Sequence, residues 1–366
     1  MLRSYKFRIF PSHSQTTKLE NTLELCRELY NAALSERREA WKLSRISISY
    51  LDQQNVLPEI KAIREDVAEI HSQVLQDVLR RLDKGFKAFF SRIKKGAKAG
   101  FPRFKGKNRY DSFTFAQSGF ALKENKLQLS KLGLFKIKWH REIVGKIKTL
   151  TITRSSTGKW FACFSVETQE EILEPTGKVV GIDVGLEKFA TLTEGEPIPN
   201  PRFFRTDQKD LAKAQRKKLK KRTVKIHERI KNRRNNFCHQ VSNYLVKNFD
   251  VIVFEKLKVL NMVQNGHLAK SICDASWSKL FELTLYKAEN AGRRMIQVNP
   301  RNTSQMCSEC GVMVKKELSC RVHHCSSCGL EIDRDVNAAR NILRLGLQTL
   351  GIKSVEATSK LCLVVE

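Results

Sequence analysis

The stretch Val179-Val-Gly-Ile-Asp-Val-Gly185 is a short apolar run with a single acid, Asp183, near its end. A run of this length that stops at a glycine predicts a buried β-strand. The segment Phe189-Ala-Thr-Leu-Thr193 predicts its antiparallel partner. An acid on a buried strand costs free energy unless a cation pairs with it. Asp183 is therefore either a turn residue before a glycine or a ligand of a cation.

Two further acids occupy comparable positions downstream. Glu255 comes at the end of a second apolar run, Phe249-Asp-Val-Ile-Val-Phe-Glu255, and Asp335 begins a predicted helix over 335–345. Each acid alone has an ordinary explanation as a helix cap or an exposed strand end. Together, however, two acid-bearing strands separated by a basic segment and followed by an acid-bearing helix form the layout of an RNase H-like nuclease core. Three carboxylates in one place would repel one another unless divalent metal lay between them, as in two-metal phosphodiester hydrolysis.

Five of the ten cysteines fall between residues 307 and 328. Four of them form two C-x2-C-G knuckles, each of which offers two thiolates to one tetrahedral ion. We therefore expect one structural zinc ion, bound by Cys307, Cys310, Cys325 and Cys328. A redox dithiol would need only one pair, and a catalytic zinc would keep an open position. The neighbouring Cys320, His323 and His324 are expected to be bystanders.

The N-terminal half combines strands with helices. Alternating apolar and polar residues predict short strands at 4–10, 112–115, 135–139, 147–152 and 160–166. Short strands in a row indicate a small β-barrel. Apolar residues at helical spacing predict helices over about 15–42 and 73–94. If the first strand joins the barrel, these helices are an insertion in it.

The charge of the chain indicates the class of its partner. Lys plus Arg is 67 and Asp plus Glu is 38, a net charge of +29. Such a chain favours a polyanion, usually nucleic acid. The densest run lies in a predicted cationic helix over 205–234, where we expect phosphate binding by Arg216, Lys217, Lys218, Lys220, Lys221 and Arg222. An anionic membrane surface is the alternative, but no lipidation signal or short basic amphipathic helix supports it.

Two other sequence features bear on partners and location. The basic loop at 94–107 holds Phe101 and Phe104 among lysines, so it is either a hydrophobic anchor or a surface that combines backbone binding with base stacking. No run approaches the roughly 20 apolar residues of a membrane span, and the N-terminus lacks a secretory signal. We expect a cytoplasmic protein, associated with the nucleoid if it is prokaryotic.

These segments, in this order, resemble the TnpB family, the insertion-sequence-encoded relatives of type V CRISPR nucleases. The resemblance spans nearly the whole chain and is carried by residues 5–11, 100–105, 181–186, 254–257, 298–311, 325–329 and 333–342. It implies an RNA-guided DNA endonuclease. Such a protein binds a guide RNA from the transposon end, recognises a short transposon-adjacent motif in double-stranded DNA and cuts both strands in one RuvC site.

The resemblance also implies an α+β multidomain fold. It divides the chain into a wedge β-barrel at 1–11 and 101–175, a helical recognition insert at 12–100, a RuvC nuclease domain at 176–302 and 331–350, a zinc-binding module at 303–330 and a flexible tail at 351–366. A protein of this kind is expected to be monomeric on its RNA.

The resemblance assigns roles to particular residues. Asp183, Glu255 and Asp335 take the catalytic positions and would hold two Mg²⁺ ions, for which Mn²⁺ could substitute. Asp333 is the nearer competitor for the third position. The weaker candidates for contacts to nucleic acid outside the cationic run are Gln73, Gln76, Lys105 and the face at 86–90.

Two alternatives to a nuclease stay open. Some relatives have lost the acids and act as guided DNA-binding repressors, whereas all three acids are present here. The other alternative is a protein of DNA transposition, either an accessory factor or a transposase proper. A transposase of the tyrosine type would need a Tyr beside a His pair, and neither Tyr244 nor Tyr286 has a His-x-His neighbour.

Overall fold

The computed structural model describes residues 1–317 and 320–351. Of the tail expected at 351–366, all but Gly351 lies outside the described residues. The chain divides into two compact units, Met1–Gln169 and a second that starts at Glu170. No helix in the described part of the chain has both the length and the apolar character to cross a bilayer.

The first unit is built on a seven-stranded antiparallel sheet. Its strands are β1 (Leu2–Phe10), β2 (Ser112–Phe115), β3 (Phe120–Lys123), β4 (Lys126–Leu129), β5 (Gly133–Lys138), β6 (Lys146–Arg154) and β7 (Trp160–Glu167). The strand order is β2-β6-β7-β1-β5-β4-β3, so β2 and β3 lie at opposite edges. Only residues 116–119 join these two edges, and the rings of Phe115 and Phe120 lie 6.4 Å apart. The sheet is therefore nearly closed, as the predicted barrel requires.

Five helices lie between β1 and β2 in the chain. They are α1 (His13–Ser44), α2 (Tyr50–Asn55), α3 (Leu57–Ile63), α4 (Glu65–Ala68) and α5 (Ser72–Lys94). α1 begins with a capping box, because the Ser12 hydroxyl accepts from the Gln15 N–H and the Gln15 side chain accepts from the Ser12 N–H. Leu19 of α1 and Leu79 of α5 are buried in the same cluster as Phe7 of β1. The helices thus share one hydrophobic core with the sheet.

The second unit contains a five-stranded sheet with the order β10-β9-β8-β11-β12. Its strands are β8 (Val179–Val184), β9 (Lys188–Leu192), β10 (Pro197–Pro199), β11 (Val251–Glu255) and β12 (Arg294–Val298). β8, β11 and β12 are parallel, and β9 is antiparallel to β8 and β10. Ile182 pairs with Phe254, so the next residues, Asp183 and Glu255, lie on neighbouring strands at the same edge of the sheet.

Helices and one small hairpin complete this unit. They are α6 (Phe203–Arg216), α7 (Lys220–Asn248), α8 (Val259–Met262), α9 (Gly266–Ala275), α10 (Trp277–Asn290), the hairpin β13 (Val322–His324) and β14 (Glu331–Asp333), and α11 (Arg334–Thr349).

The prediction of one cationic helix over 205–234 was wrong. The chain breaks between α6 and α7, where Lys218 adopts a φ of 51°, and Leu211 and Ala214 of α6 pack against Ile226 and Ile230 of α7.

Two glycines let α11 lie directly on the sheet. A Cβ at Gly181 of β8 would come 2.1 Å from the carbonyl oxygen of Ala339, and one at Gly346 would come 2.5 Å from Val253 of β11. Neither distance is possible between real atoms, so helix and strand pack this closely only because glycine has no side chain. This packing fixes Asp335, at the start of α11, relative to Asp183 on β8.

We expect Gly181→Ala to destabilise the protein by about 1–3 kcal/mol, because the added methyl group must push α11 away from β8. The measurement is the free energy of unfolding in denaturant. Gly266→Ala is the matched control, since a Cβ there meets nothing within 4 Å. Equal stability of the two variants would contradict the close packing described here.

Candidate active site and metal centre

Three different elements carry the three acids. Asp183 is the penultimate residue of β8, Glu255 is the last residue of β11, and Asp335 is the second residue of α11. Glu255 is buried, whereas Asp183 and Asp335 are half-buried. The parallel pairing of β8 with β11 and the packing of α11 on β8 bring the acids to one edge of the sheet.

The electrostatics of this edge indicate a site for cations. Burial, and then the nearby carboxylates of Glu255 and Asp335, raise the pKa of Asp183 well above its usual value. Arg334 opposes this effect, and its guanidinium lies 3.5 Å from the Asp335 carboxylate. Burial also raises the pKa of Glu255. Ionising these neighbouring carboxyls costs free energy, which a bound cation would offset. Carboxylate oxygens are the ligands that Mg²⁺ prefers, so Asp183, Glu255 and Asp335 could hold divalent cations.

The two acids at the start of α11 have different environments. Asp333 is the N-cap of the helix, accepts from the N–H groups of Asp335 and Val336, and pairs with Lys188 at 2.8 Å. Burial alone would raise the pKa of Asp333, but the Lys188 ammonium and these N–H groups outweigh it and lower the pKa. The carboxylate of Asp335, by contrast, pairs with the adjacent Arg334 and acts more strongly on Asp183. These contacts favour Asp335 over Asp333 as the third metal ligand.

Hydrogen bonds link Glu255 to α11, the helix that carries Asp335, through the segment between β12 and the first knuckle. The Thr303 hydroxyl donates a hydrogen bond to Glu255. Asn341 on α11 donates to the carbonyl oxygens of Thr303 at 2.9 Å and Met306 at 2.6 Å. Asn337, one turn earlier, also donates to Met306 and accepts from the Ser308 N–H, each at 2.8 Å. None of these residues was predicted as a site residue, although Thr303 lies in the segment 298–311 and Asn337 and Asn341 lie in the segment 333–342, both of which carry the resemblance found in the sequence.

The four knuckle cysteines form one group. Their sulfur atoms lie within 4.8 Å of one another, with Cys307 to Cys328 at 3.7 Å and Cys310 to Cys325 at 3.6 Å. A tetrahedral zinc with bonds of about 2.3 Å requires sulfur atoms roughly 3.8 Å apart, so the cysteines fit this ion. N–H groups of Cys328 and Ser327 lower the pKa of the Cys325 thiol, which favours its thiolate. The Leu330 N–H alone would lower the pKa of the Cys328 thiol, but burial and the neighbouring cysteine thiols outweigh it and raise that pKa, so negative charge in this group is favoured on Cys325.

The cysteine group is also distinct from its surroundings. In the described ranges it is the one set of three or more Cys, His, Asp or Glu side chains with ligand atoms within 4.8 Å of one another, so the three acids are spaced more widely. Cys320 and His324 are exposed, and the buried His323 bonds to Lys316. None of these three belongs to the four-sulfur group.

Ion pairs hold the segment that carries the four cysteines against the turn that follows Asp183. Arg321, just before β13, pairs with Glu187 at 2.6 Å, and Asp333 of β14 pairs with Lys188 at 2.8 Å. Glu187 and Lys188 lie only four and five residues after Asp183. The segment that carries the four cysteines and the acidic edge are therefore parts of one connected structure.

The cations of the densest run occupy the exposed tip of the α6–α7 hairpin. Among the described residues, none of Arg216, Lys217, Lys218, Lys220, Lys221 and Arg222 has an ion-pair partner. The cations further along α7 differ, because Arg229 and Arg233 pair with the buried Asp207 and Arg234 pairs with Asp274. The tip thus presents free positive charge, whereas Arg229 and Arg233 connect α7 to α6 and Arg234 connects α7 to α9.

Most of the weaker candidates for contacts to nucleic acid also make contacts within the chain. The backbone of Lys105 exchanges hydrogen bonds with the Asn31 side chain, and its ammonium lies 5.5 Å from the Tyr30 ring. Gln73 accepts from the N–H groups of Gln117 and Ser118 in the connection between β2 and β3. Gln76 is half-buried on α5. Phe101 packs edge-on against Phe86 and Phe89, which favours an anchor for the basic loop.

Comparisons with known proteins identify the relatives of this chain. Three family models match, described as "Helix-turn-helix domain" over residues 1–45, "Probable transposase" over 162–266 and "Cas12f1-like, TNB domain" over 277–342. A protein of Streptomyces pristinaespiralis named "Putative RNA-guided DNA endonuclease" is 34% identical over 94% of this chain and 89% of its own length. The chain belongs to the TnpB family. A further relative, "Putative RNA-guided DNA endonuclease InsQ" of Escherichia coli (strain K12), is 31% identical over 94% of this chain and 92% of its own.

The fold of this TnpB protein is similar to that of a solved structure titled "Structure of the mini-RNA-guided endonuclease CRISPR-Cas_phi3". The TM-score is 0.50 at 10% sequence identity, covering 95% of this chain and 92% of the other. The helix-turn-helix description does not fit the structure of the matched segment. Residues 1–45 fold into β1 and one long helix, α1, so the described structure does not form a helix-turn-helix there.

Proposed function

We propose that this TnpB protein is an RNA-guided DNA endonuclease of a transposon. It binds a guide RNA from the transposon end, recognises a short adjacent motif in double-stranded DNA and cleaves both strands. The observation that carries this proposal is the meeting of Asp183, Glu255 and Asp335 at one edge of the sheet, in a chain whose near-full-length relatives are named for this activity.

The architecture of the second unit supports a RuvC nuclease domain. With its strands numbered by their order in the chain, the sheet has the order 3-2-1-4-5, and the second strand is antiparallel to the first. The acids come from the first and fourth strands and from the last helix, α11. We assign the nuclease domain to 176–302 and 331–350 and the zinc-binding module to 303–330. We assign the wedge barrel to 1–11 and 101–175, and the recognition insert to 12–100.

The carboxylates define the chemistry of the site. Asp183, Glu255 and Asp335 would hold two Mg²⁺ ions, or Mn²⁺ in their place, because all three offer oxygen ligands beside the single guanidinium of Arg334. When bound, such a pair of ions activates water and stabilises the leaving oxygen of a phosphodiester. The chain's own contribution is to hold the three carboxylates fixed at one edge of the sheet, where bound cations would favour their ionised forms. The four cysteines would hold one zinc ion, whose closed shell gives it a structural role.

The test of the function is the cleavage of a guide-matched plasmid by the complex purified with its RNA. We expect both strands to be cut with added Mg²⁺ and neither to be cut without it. Cutting that ignores the guide sequence would contradict the proposal, and specific binding without cutting would indicate a guided repressor.

The free charge at the tip of the α6–α7 hairpin makes it the strongest candidate for phosphate binding. We expect the fourfold variant Lys217→Gln, Lys218→Gln, Lys220→Gln and Lys221→Gln to weaken RNA binding. The slope of log affinity against log salt should fall by roughly 0.7–0.9 for each phosphate that the variant no longer neutralises. The matched control replaces the same four residues by Arg, which keeps the charge. An unchanged salt dependence in the Gln variant would exclude the tip as a phosphate-binding surface.

A further inference from the structure

We infer that Thr303 is a positioning residue for Glu255, and that Asn341 holds Thr303 in place. The inference rests on the proposed function, because it concerns the divalent cations that Glu255 would bind. Thr303 lies in the connection between β12 and the first cysteine knuckle, well away from Glu255 in the chain. The contact between them is therefore made by the fold and not by proximity in sequence.

The contact is a buried one. Thr303 is 2% exposed and Glu255 is 8% exposed, and the Thr303 hydroxyl donates to Oε1 of Glu255. Among the described residues, the Pro300 carbonyl oxygen, at 3.1 Å, is the only other acceptor for this hydroxyl, which has one proton to donate. Within the same ranges, no other group donates a hydrogen bond to the Glu255 carboxylate. Thr303 thus fixes one oxygen and leaves Oε2 available to a cation.

The position of Thr303 is set by the helix that carries Asp335. Asn341 is fully buried and donates to the carbonyl oxygens of Thr303 and Met306. Its own oxygen accepts from Arg344 at 2.7 Å, so the orientation of its amide is determined. The chain of contacts runs from α11 through Asn341 and Thr303 to Glu255. It connects Glu255 on β11 to the helix that carries Asp335, so two of the three acids are held in a fixed relation to each other.

A hydroxyl is needed here, and not only a side chain of this volume. Valine would fill the same space but would leave a buried carboxylate oxygen without a donor, free to rotate. Groups that orient metal-binding carboxylates typically contribute about 10- to 100-fold to metal affinity or activity. We therefore expect the loss to appear in metal binding and not in folding.

The experiment compares Thr303→Val with Thr303→Ser, which keeps the hydroxyl. Mn²⁺ binding to the zinc-loaded, RNA-free full chain is measured from the spin-resonance signal of free Mn²⁺, with Glu255→Gln as the reference for unspecific binding. We expect the Val variant to lose about 10- to 100-fold in Mn²⁺ affinity, with Ser close to the wild type. Cleavage by the RNA complex of the Val variant should recover as Mg²⁺ is raised.

Two controls separate positioning from folding. Thr284→Val makes the same change at a fully buried Thr of α10 whose hydroxyl donates within its own helix, and it should leave Mn²⁺ affinity unchanged. Zinc content and melting temperature report the fold of each variant. Thr303→Ala replaces the Val variant if the latter unfolds.

The outcomes distinguish this inference from the proposed function. Wild-type Mn²⁺ affinity in a folded Val or Ala variant would overturn the role of Thr303, even if the wild-type complex cleaves DNA. If the wild type binds Mn²⁺ but its complex does not cleave, the proposed function fails while the affinities still decide the role of Thr303. If the wild type binds no more Mn²⁺ than Glu255→Gln does, both are wrong.

Discussion

Asp183→Asn is expected to abolish guided DNA cleavage, with a loss of roughly a thousandfold or more, equivalent to about 4 kcal/mol of transition-state stabilisation. The amide has the shape of the carboxylate but lacks the charge that would hold divalent metal at the edge of the sheet. Because the acid contributes to the metal site and not to an RNA surface, binding of guide and matched target should stay within experimental error of the wild type.

The same variant should not lose stability. Burial and the nearby Glu255 and Asp335 raise the pKa of Asp183, so its ionised form is less favourable in the folded protein than in the unfolded chain. Replacing it by a neutral amide relieves this repulsion. Without added Mg²⁺ we expect Asp183→Asn to melt at the same temperature as the wild type or above it. This combination of lost cleavage and kept stability marks a catalytic carboxylate and not a structural one.

Asp210→Asn is the matched control. Asp210 is an exposed acid on α6, 3.7 Å from Arg229, and the same substitution there should leave cleavage unchanged. Measurement requires the rate of plasmid cleavage together with an equilibrium binding assay on the same preparations. Retention of cleavage by Asp183→Asn would remove Asp183 from the catalytic site and with it the account of the acidic edge.

Cys310→Ser is expected to reduce bound zinc from one ion per chain to a small fraction. A structural zinc contributes roughly 10–16 kcal/mol of apparent binding free energy in small domains, so a lost ligand removes folding free energy directly. At roughly 2–4 °C per kcal/mol for a domain of about 150–250 residues, the melting temperature of the second unit should fall by many degrees. Zinc content by elemental analysis and thermal unfolding measure the two effects.

Loss of zinc should also disturb the arrangement of the acids at the edge of the sheet. The first knuckle starts at Cys307, directly after Met306, whose carbonyl oxygen accepts from both Asn337 and Asn341 of α11. Loosening the knuckle therefore loosens the segment that contains Thr303. We expect cleavage by Cys310→Ser to fall together with its zinc content.

Other cysteines provide the controls for this prediction. Cys273 and Cys320 are exposed and lie outside the four-sulfur group, so Cys273→Ser and Cys320→Ser should keep both zinc and melting temperature. Unchanged zinc in Cys310→Ser would refute the tetrahedral site. Zinc loss in Cys320→Ser would mean that the ligand set is different from the one proposed.

The strands and helices with strong patterns were predictable from the sequence, and the weakly patterned ones were not. β1 and β7 alternate cleanly because one face is buried in the core. The edge strand β3 has no buried residue, so its sequence carries no alternation to find. The short helices α2, α3 and α4 were also missed, since each buries only one residue and so short a segment shows no helical period.

The residues of the candidate site also divide into those that the sequence predicts and those that it does not. An acid on an apolar strand stands out because its burial costs free energy. A pair of cysteine knuckles stands out because this spacing is rare without a metal. Thr303, Asn337 and Asn341 do not stand out, since a hydroxyl or amide has many roles and only the fold shows what it faces. The choice of Asp335 over Asp333 came from the resemblance to the family, and the structure adds that Asp333 pairs with Lys188 and accepts from the helix N–H groups.

The most direct test of the central claim is a selection on the reconstituted complex. The chain is expressed with the DNA that flanks its gene, the bound RNA is sequenced, and the complex is challenged in Mg²⁺ with a plasmid library randomised beside a guide-matched target. We predict one discrete RNA and depletion of plasmids that carry one short adjacent motif, with no depletion by the Asp183→Asn complex. The absence of a discrete RNA, or equal depletion by the Asp183→Asn complex, would contradict an RNA-guided endonuclease that cuts at the acidic edge.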